Sequence, residues 1–231
     1  MKLIIGNKNY SSWSLRAWLL LKHPGIPFDE EKISFNAPDF KERVKRYSPV
    51  GRVPVLVDGD IVVWDSLAIA EYVAEKHWEK KLWPEDRAAR ARARSICAEM
   101  HSGFTAMRNR MGMNCELSLP NVVFELDVQA DVQRIIEIWS ECRDKYKPRG
   151  RFLFGEFTIA DAYFAPVTRR FVTYGTRLPE FAQRYVDTIE SLPAMKEWLT
   201  AARVEHDFVE RDEPYRHSIT AASDMDEPTA Q

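Results

Sequence analysis

Short apolar runs alternate with helical periods in the first part of the chain. Residues 3–6 are an apolar run that ends in glycine, residues 15–21 repeat apolar side chains at helical spacing, and residues 28–33 can form a second strand. A strand, a helix and a strand in this order predict a right-handed βαβ unit with a parallel pair. Residues 37–47 are a polar helix or an irregular segment that leads to the next strand.

A β-hairpin is the strongest local signal in the sequence. Two β-branched runs flank Asp58-Gly59-Asp60, where glycine tolerates the positive φ that a tight reversal needs. Pro54 opens the first of these strands, so the amide and the carbonyl of Val53 lie outside the ladder. These two backbone groups are therefore free to bind a ligand.

Asp65 and Ser66 follow the hairpin and precede an apolar pattern of helical period. The N-terminus of a helix, with free amides and a hydroxyl, favours a carboxylate ligand. A plain N-cap is the other interpretation of this pair. The order of elements up to this helix, β-α-β-α-β-β-α, is typical of a compact α/β domain.

Helical periodicity is interrupted at residues 80–85, where Pro84 can begin a new helix. We therefore predict a first domain at residues 1–81 and a second domain at residues 85–211. Residues 212–231 are polar and are expected to form a flexible tail.

The second domain shows no strand pattern and is expected to be all-helical. Thr158 and Asp161 have the spacing of a capping box, for which we expect a structural role. Helical periods cover one long segment at 86–111, followed by 121–146, 157–174, 179–190 and 194–203.

The composition is that of a globular protein with a substantial core. Of 231 residues, 45% are apolar, and 33 basic against 35 acidic side chains give a net charge of -2. A nearly neutral chain argues against nucleic acid as the main partner. No apolar run reaches the ~18 residues of a membrane span, and the N-terminus lacks a signal-peptide pattern, so we expect a cytoplasmic protein.

Cys97, Cys115 and Cys142 are widely spaced and form no C-x-x-C pair. This pattern indicates neither a disulfide framework nor a zinc site, so we expect reduced thiols and no bound metal. Cys115 has no activating neighbour in the sequence, and we interpret it as incidental.

Four separated motifs, spread over nearly the whole chain, resemble the cytosolic glutathione transferases. They are Tyr10-Ser11-Ser12-Trp13-Ser14-Leu15-Arg16, Gly51-Arg52-Val53-Pro54, Asp65-Ser66-Leu67-Ala68-Ile69 and Phe157-Thr158-Ile159-Ala160-Asp161. The first motif is most similar to the zeta and related bacterial serine-type classes. The resemblance implies an α/β domain of thioredoxin fold with a cis-proline at Pro54, an all-α domain after it, and a cytoplasmic homodimer.

The first motif departs from its relatives at informative positions. Zeta enzymes with maleylacetoacetate isomerase activity have cysteine at the position of Trp13, which argues against that activity here. Ser11 and Ser14 stand where thioredoxin-like redox proteins carry Cys-x-x-Cys. Thiol-disulfide exchange needs a protein thiolate, so the cysteine-dependent branches of the family are disfavoured.

The resemblance also implies where glutathione, the co-substrate, is activated. Its thiol has a pKa of about 8.5 in the cysteine reference, so the protein must stabilise the thiolate. The resemblance assigns the hydroxyl donor to Ser11, at the positive end of the first helix. Ser11 could instead be a plain N-cap, with Ser12 or Ser14 as the donor.

The rest of glutathione is expected to bind as a peptide. The Val53 backbone should pair with its cysteinyl main chain, next to Pro54. Ser66 and the helix amides should hold the γ-glutamyl carboxylate, and Asp65 should bind its ammonium or the amides beside it. Arg52 either binds the glycyl carboxylate or is a surface charge. Trp13 either covers the sulfur, lines the electrophile pocket or belongs to the core.

A pocket for a small hydrophobic electrophile is expected against the long helix of the second domain. Soft methionine and aromatic side chains suit variable apolar ligands, although a stripe at helical spacing also fits a plain core position. His101 is either an acid–base group or a solvated histidine. The residues expected to line the pocket are Met100, His101, Phe104, Met107 and Arg108.

The predicted function is a glutathione transferase that adds the thiolate to hydrophobic electrophiles in detoxification. Two alternatives stay open: a glutathione-dependent isomerase or peroxidase with the same site, and a binding module of this fold with little turnover. The homodimer implied by the resemblance suits a basic helix start, which otherwise is a solvated face. That group consists of Arg87, Arg90, Arg92 and Arg94.

Overall fold

The computed structural model describes residues 1–216 of the chain, and it begins with a four-stranded sheet. The strand order is β2-β1-β3-β4, and β1 pairs in parallel with β2 and antiparallel with β3. The predicted βαβ unit and hairpin are confirmed, and Gly59 has a φ of +60° in the turn between the last two strands. The strands are β1 (Lys2–Ile5), β2 (Asp29–Lys32), β3 (Val55–Asp58) and β4 (Ile61–Trp64).

Helices cover both faces of the sheet and form all of the regular structure after it, apart from short 3-10 turns and isolated bridges, within residues 1–216. This is the predicted architecture of an α/β part followed by an all-helical part. The helices are α1 (Ser12–Lys22), α2 (Phe40–Lys45), α3 (Ser66–Lys76), α4 (Arg87–Ser102), α5 (Thr105–Arg110), α6 (Leu126–Tyr146), α7 (Ile159–Thr173), α8 (Glu180–Glu190) and α9 (Pro193–Arg203).

Alternation along β1 separates two apolar clusters. Leu3 and Ile5 point into the main core with α1 and α3, whereas Ile4 points to a smaller cluster that includes Val44 of α2. The main core continues into the helical part, where α7 is almost entirely buried and packs against α1 and α4. One continuous core therefore fixes the position of α1 relative to the second part of the chain.

The prediction of one long helix over residues 86–111 is wrong. α4 ends at Ser102, and Phe104 has a left-handed φ of +59° before α5 begins. A Cβ at Gly103 would lie 2.9 Å from the carbonyl oxygen of Glu99, so the close reversal suits glycine. Arg108 then donates from Nη1 to the carbonyls of Met100 and His101, each at 3.0 Å, and satisfies the end of α4.

The segment after α9 runs back over the first domain. Within the predicted tail, Glu213 is buried and accepts hydrogen bonds from Tyr10 and Asn114, so residues 212–216 are packed rather than free. The rest of the predicted tail, 217–231, lies outside the described residues. The domain limits at 81 and 85 stay predictions.

Three further expectations concern groups outside the proposed site. The three cysteines are free and buried, and burial raises the pKa of Cys115 to about 12, which makes it unreactive. In residues 1–216 no helix is long and apolar enough to cross a membrane, and no cluster of His, Cys, Asp and Glu could hold a metal. Arg92 and Arg94 form ion pairs with Glu141 and Glu71 of the same chain, and the homodimer stays a prediction.

Candidate active site

The loop before α1 places Ser11 at the start of that helix. Ser11 is the N-cap, and its Oγ accepts from the Ser14 amide at 3.4 Å and lies 2.7 Å from the Ser14 Oγ. The Ser14 Oγ in turn accepts from the Gly6 amide at 3.1 Å. Ser14 is fully buried and lines neither cavity of the site, whereas Ser11 and Ser12 both line one.

In the structure the Ser11 hydroxyl donates to the Ser14 Oγ, and this bond has to reverse for Ser11 to donate to a ligand. A hydroxyl hydrogen rotates freely, so Ser14 can donate to Ser11 while it still accepts from Gly6. The Ser11 proton is then available to a ligand, and the hydroxyl chain strengthens that bond. Ser12 is half-buried, and its hydroxyl has no hydrogen-bond partner among residues 1–216.

The loop that carries Ser11 is held by the end of the described chain. The carboxylate of Glu205 accepts from the amides of Lys8 and Asn9 at 3.1 and 3.2 Å. The Tyr10 hydroxyl donates to Glu213 at 2.6 Å, and burial together with that carboxylate raises the pKa of Tyr10. Tyr10 therefore donates its only hydroxyl proton to Glu213, so the serine hydroxyls are the remaining hydroxyl donors at this helix start.

Two cavities meet at Trp13, and both are also lined by Arg52 and Val53. The first, which we name the serine cavity, has a volume of about 460 Å³ and is lined in addition by Ser11, Ser12, Arg108, Arg170 and Met113. The second, which we name the proline cavity, has a volume of about 570 Å³ and is lined in addition by Pro54, Trp64, Asp65, Ser66 and His101.

Val53 presents an unused peptide edge to both cavities. The Val53–Pro54 peptide bond is cis, as the family resemblance implies. Neither the amide nor the carbonyl of Val53 makes a hydrogen bond among the described residues, since the ladder of β3 begins at Val55. An extended peptide can pair with such an edge through main-chain hydrogen bonds.

The start of α3 forms one wall of the proline cavity. Asp65 is its N-cap, and its Oδ1 accepts from the Leu67 amide at 2.8 Å. Ser66 is 2% exposed, and its Oγ lies 3.0 Å from the hydroxyl of Tyr163, where either group can donate. The Asp65-Ser66 pair therefore caps a helix and also lines a cavity at the positive end of that helix, and its binding of a carboxylate stays a prediction.

His101 closes the proline cavity from the side of α4. Its Nε2 lies 3.3 Å from the Oδ2 of Asp65, and its ring meets the Trp13 ring edge-on at 5.2 Å between centroids. Burial lowers the pKa of the His101 imidazole. The carboxylate of Asp65 raises this pKa, whereas the positive charges of Arg16 and Arg108 lower it. The imidazole is thus half-buried rather than fully solvated, and its burial favours the neutral form.

Two family models match most of the chain. The N-terminal domain of glutathione S-transferase matches residues 10–76, and the C-terminal domain of glutathione S-transferase matches residues 87–201. This chain belongs to the glutathione S-transferase family.

Individual relatives match this chain over shorter stretches. "Probable maleylacetoacetate isomerase" of Caenorhabditis elegans is 33% identical over 98 residues, which are 42% of this chain and 45% of that protein. "Glutathione S-transferase 1" of Dianthus caryophyllus is 38% identical over 92 residues, which are 39% of this chain and 41% of that protein. The chain thus matches less than half the length of either relative.

Solved structures extend the similarity to the whole fold. A Burkholderia glutathione transferase homologue, crystallised with bound glutathione, superposes with a TM-score of 0.66 at 24% identity, over 89% of this chain and 98% of that one. At this identity the similarity shows the glutathione S-transferase fold, with its thioredoxin-like first domain.

The transferase fold gathers all the residues that we expected to bind glutathione around one cavity. These residues all line the proline cavity: Trp13, Arg52, Val53, Pro54, Asp65 and Ser66. Trp13 is half-buried and separates this cavity from the serine cavity, so it is not a core tryptophan.

The predicted electrophile pocket needs correction. Met100, Phe104 and Met107 are 1%, 7% and 0% exposed, lie in the main core, and line neither cavity. His101 lines the proline cavity and Arg108 the serine cavity. The physical reason is packing: Met100 already faces the main core from α4, before the break at Gly103, and Phe104 and Met107 pack into the same core after it.

Sequence reasoning missed Arg16, Arg170 and Tyr163. Arg16 and Arg170 are 3% and 6% exposed, although arginine is rarely buried without a partner. The sequence did indicate that Arg16 and Arg170 are buried, since both lie inside apolar segments of helical period. Tyr163, which supports Ser66 from α7, left no signal because a buried tyrosine is ordinary in a core helix.

Proposed function

We propose that this protein is a glutathione transferase that binds glutathione in the proline cavity and stabilises its thiolate through the Ser11 hydroxyl. The observation that carries the proposal is the free amide and carbonyl of Val53, in a cavity that also contains the N-terminus of α3. Family membership and the bound glutathione of the Burkholderia homologue support the same ligand.

Each part of glutathione has a complementary group in the proposed site. The cysteinyl main chain pairs with Val53, which directs its thiol toward the junction of the cavities at Trp13. The γ-glutamyl carboxylate meets Ser66 and the amides of α3, and its ammonium meets Asp65. Arg52, exposed at the rim of both cavities, takes the glycyl carboxylate.

The start of α1 supplies the stabilisation of the anion. Its first turn contains no acidic residue, so the partial positive charge of the helix N-terminus is not offset there. A hydroxyl donor to the sulfur contributes about 1.5–3 kcal/mol, equivalent to about one to two pKa units. In a displacement, the sulfur–carbon bond forms with the thiolate electron pair, and the leaving group departs with the pair of the bond that breaks. The thiol proton goes to solvent.

Isomerisation is the second candidate, because the Caenorhabditis elegans relative carries the name of an isomerase. Such a reaction would use the same thiolate and regenerate it, whereas transfer consumes it. Counting free thiol after turnover separates the two reactions: transfer removes one thiol for each product, and isomerisation removes none.

Removing the Ser66 hydroxyl tests the proposed position of glutathione. We expect Ser66→Ala to raise the Kd for glutathione about tenfold in isothermal titration calorimetry, since a carboxylate loses one charge-assisted hydrogen bond of about 1.5 kcal/mol. Ser102→Ala is the matched control, because Ser102 lines the same cavity but donates to the Ala98 carbonyl at 3.0 Å. Equal affinities of the two variants would place the glutamyl carboxylate elsewhere.

A further inference from the structure

Each of the four residues before Ser11 donates a hydrogen bond to a carboxylate from the last part of the described chain. These residues lie between β1 and α1, so neither the sheet ladder nor the helix fixes their position. We name residues 205–213, which supply the carboxylates, the clamp. The bonds run from Asn7 Nδ2 to Asp207 at 2.8 Å, from the Lys8 and Asn9 amides to Glu205 at 3.1 and 3.2 Å, and from the Tyr10 hydroxyl to Glu213 at 2.6 Å.

The clamped loop is connected to the start of α1 by main-chain hydrogen bonds. The carbonyl of Asn7, which is fully buried, accepts from the Ser11 amide at 2.8 Å. The Tyr10 carbonyl accepts from the Ser12 amide at 2.9 Å. Among the described residues the clamp makes no hydrogen bond to the Ser11 hydroxyl. Its carboxylates can therefore affect that hydroxyl only through the position of the loop.

The carboxylates of the clamp are buried, and their contacts are concentrated on this loop. The Glu205 side chain is 3% exposed, and Glu213 is 5% exposed. Burying a carboxylate is unfavourable unless hydrogen bonds compensate it, and here the loop supplies donors to both groups. The main core already joins α1 to α7, so the clamp adds contacts at one place, beside the serine cavity that Arg211 and Asp212 help to line.

We propose that Glu205 and Glu213 are positioning residues that hold the Ser11 hydroxyl in line with the sulfur of bound glutathione. This inference rests on the proposed function and assigns two residues to it that lie outside the family motifs. A hydrogen bond weakens steeply as it departs from linearity, and a displacement of about 1 Å can lower a rate about 100-fold. The clamp thereby makes the ionisation of glutathione depend on the end of the described chain.

Tyr10→Phe tests the clamp by removing one hydroxyl and retaining the aromatic ring. We expect the thiol pKa of bound glutathione to rise by about half to one unit, and kcat at saturating glutathione to fall about 3- to 10-fold at pH 7. The Kd for glutathione should stay within about twofold, since the tripeptide contacts are intact. Tyr47→Phe is the matched control, because Tyr47 donates to Glu31 at 2.7 Å and lines neither cavity. It should change none of the three quantities.

Glu213→Ala distinguishes positioning from direct donation by Tyr10. The substitution frees the Tyr10 hydroxyl, and we expect the thiol pKa to rise as it does in Tyr10→Phe. Glu213→Gln keeps an acceptor oxygen and should restore most of the native pKa. A thiol pKa that stays low or falls in Glu213→Ala would overturn the proposal, because the freed Tyr10 would then be the donor to the sulfur. An unchanged thiol pKa in Tyr10→Phe would also overturn it.

Glu205→Gln provides a second test should Glu213→Ala fail to fold, since it keeps one acceptor for the two loop amides. Hydrogen exchange of the Ser11 amide, measured in the full chain without glutathione, should be at least tenfold faster in this variant than in the native protein. Glu197→Gln is the control, because Glu197 is an exposed carboxylate of α9 that pairs with Lys22. Equal exchange rates in Glu205→Gln and Glu197→Gln would contradict the clamp.

Failure of this inference is distinguishable from failure of the proposed function. If the native complex ionised like free glutathione, the proposed function would fail, and the role of the clamp would fail with it. If the native thiol ionised at a lowered pKa and every clamp variant kept that pKa, only the clamp would fail. The exchange of the Ser11 amide is measured without a thiol, so it reports on the loop alone.

Discussion

Ser11→Ala is expected to lower kcat/KM for glutathione conjugation about 10- to 100-fold at pH 7, because the thiolate loses a donor worth about 1.5–3 kcal/mol. The N-terminus of α1 remains in the variant, so a residual activity persists. Initial rates with a chloronitrobenzoate at saturating glutathione measure the effect. The Kd for glutathione should change much less than the rate, since the other contacts of the tripeptide are intact.

Ser12→Ala is the matched control for this substitution. Its hydroxyl lines the same cavity, one residue further along, and it does not cap the helix. We expect less than a threefold loss. Because Ser11 is the N-cap, its removal also costs about 1 kcal/mol of folding stability, which chemical denaturation reports separately. A large loss in Ser12→Ala with a small one in Ser11→Ala would assign the donor role to Ser12.

Asp161→Ala is expected to have the largest effect on folding. Its carboxylate is fully buried and accepts from the Leu153 amide, the Thr158 amide and hydroxyl, and the Tyr185 hydroxyl, at 2.8–3.1 Å. Removing it leaves these donors unsatisfied at about 1 kcal/mol or more each, so we expect a loss of at least about 3 kcal/mol. This corresponds to a fall in Tm of about 6–12 °C.

Two further substitutions are the controls for the stability loss expected of Asp161→Ala. Asp161→Asn keeps one acceptor oxygen, and we expect it to lose about half as much stability. Asp127→Ala removes an exposed acid from the first turn of α6 and should cost less than about 1 kcal/mol. If Asp161→Ala were no more destabilised than Asp127→Ala, the capping box would not contribute to folding as the buried contacts indicate.

The elements that could be predicted are those specified by local chemistry. The hairpin at Gly59 and the capping box at Thr158 and Asp161 each depend on a few adjacent residues, and the structure confirms both. The break at Gly103 could not be predicted, because apolar side chains keep a helical spacing through it. Glycine within a helix is tolerated, and its close approach to the Glu99 carbonyl depends on how α5 packs.

The candidate site likewise has one part that the sequence predicts and another part that only the structure shows. Val53, Pro54, Asp65 and Ser66 belong to contiguous motifs, so their association in the proline cavity followed from the order of strands and helices. The serine cavity is assembled from α1, α2, α5 and α7, from Arg52 and Val53, and from the segment that contains Arg211. Its arginines are far apart in sequence, and only the packing of helices shows that they share a cavity.

The ionisation of bound glutathione tests the central claim most directly. The ultraviolet absorbance of the thiolate would be followed against pH in the native complex and in Ser11→Ala. We predict a thiol pKa about one to two units below the 8.5 of the cysteine reference in the native complex, and a return toward that value in the variant. A native complex whose thiol ionises like free glutathione, or a shift that Ser11→Ala leaves unchanged, would contradict the account.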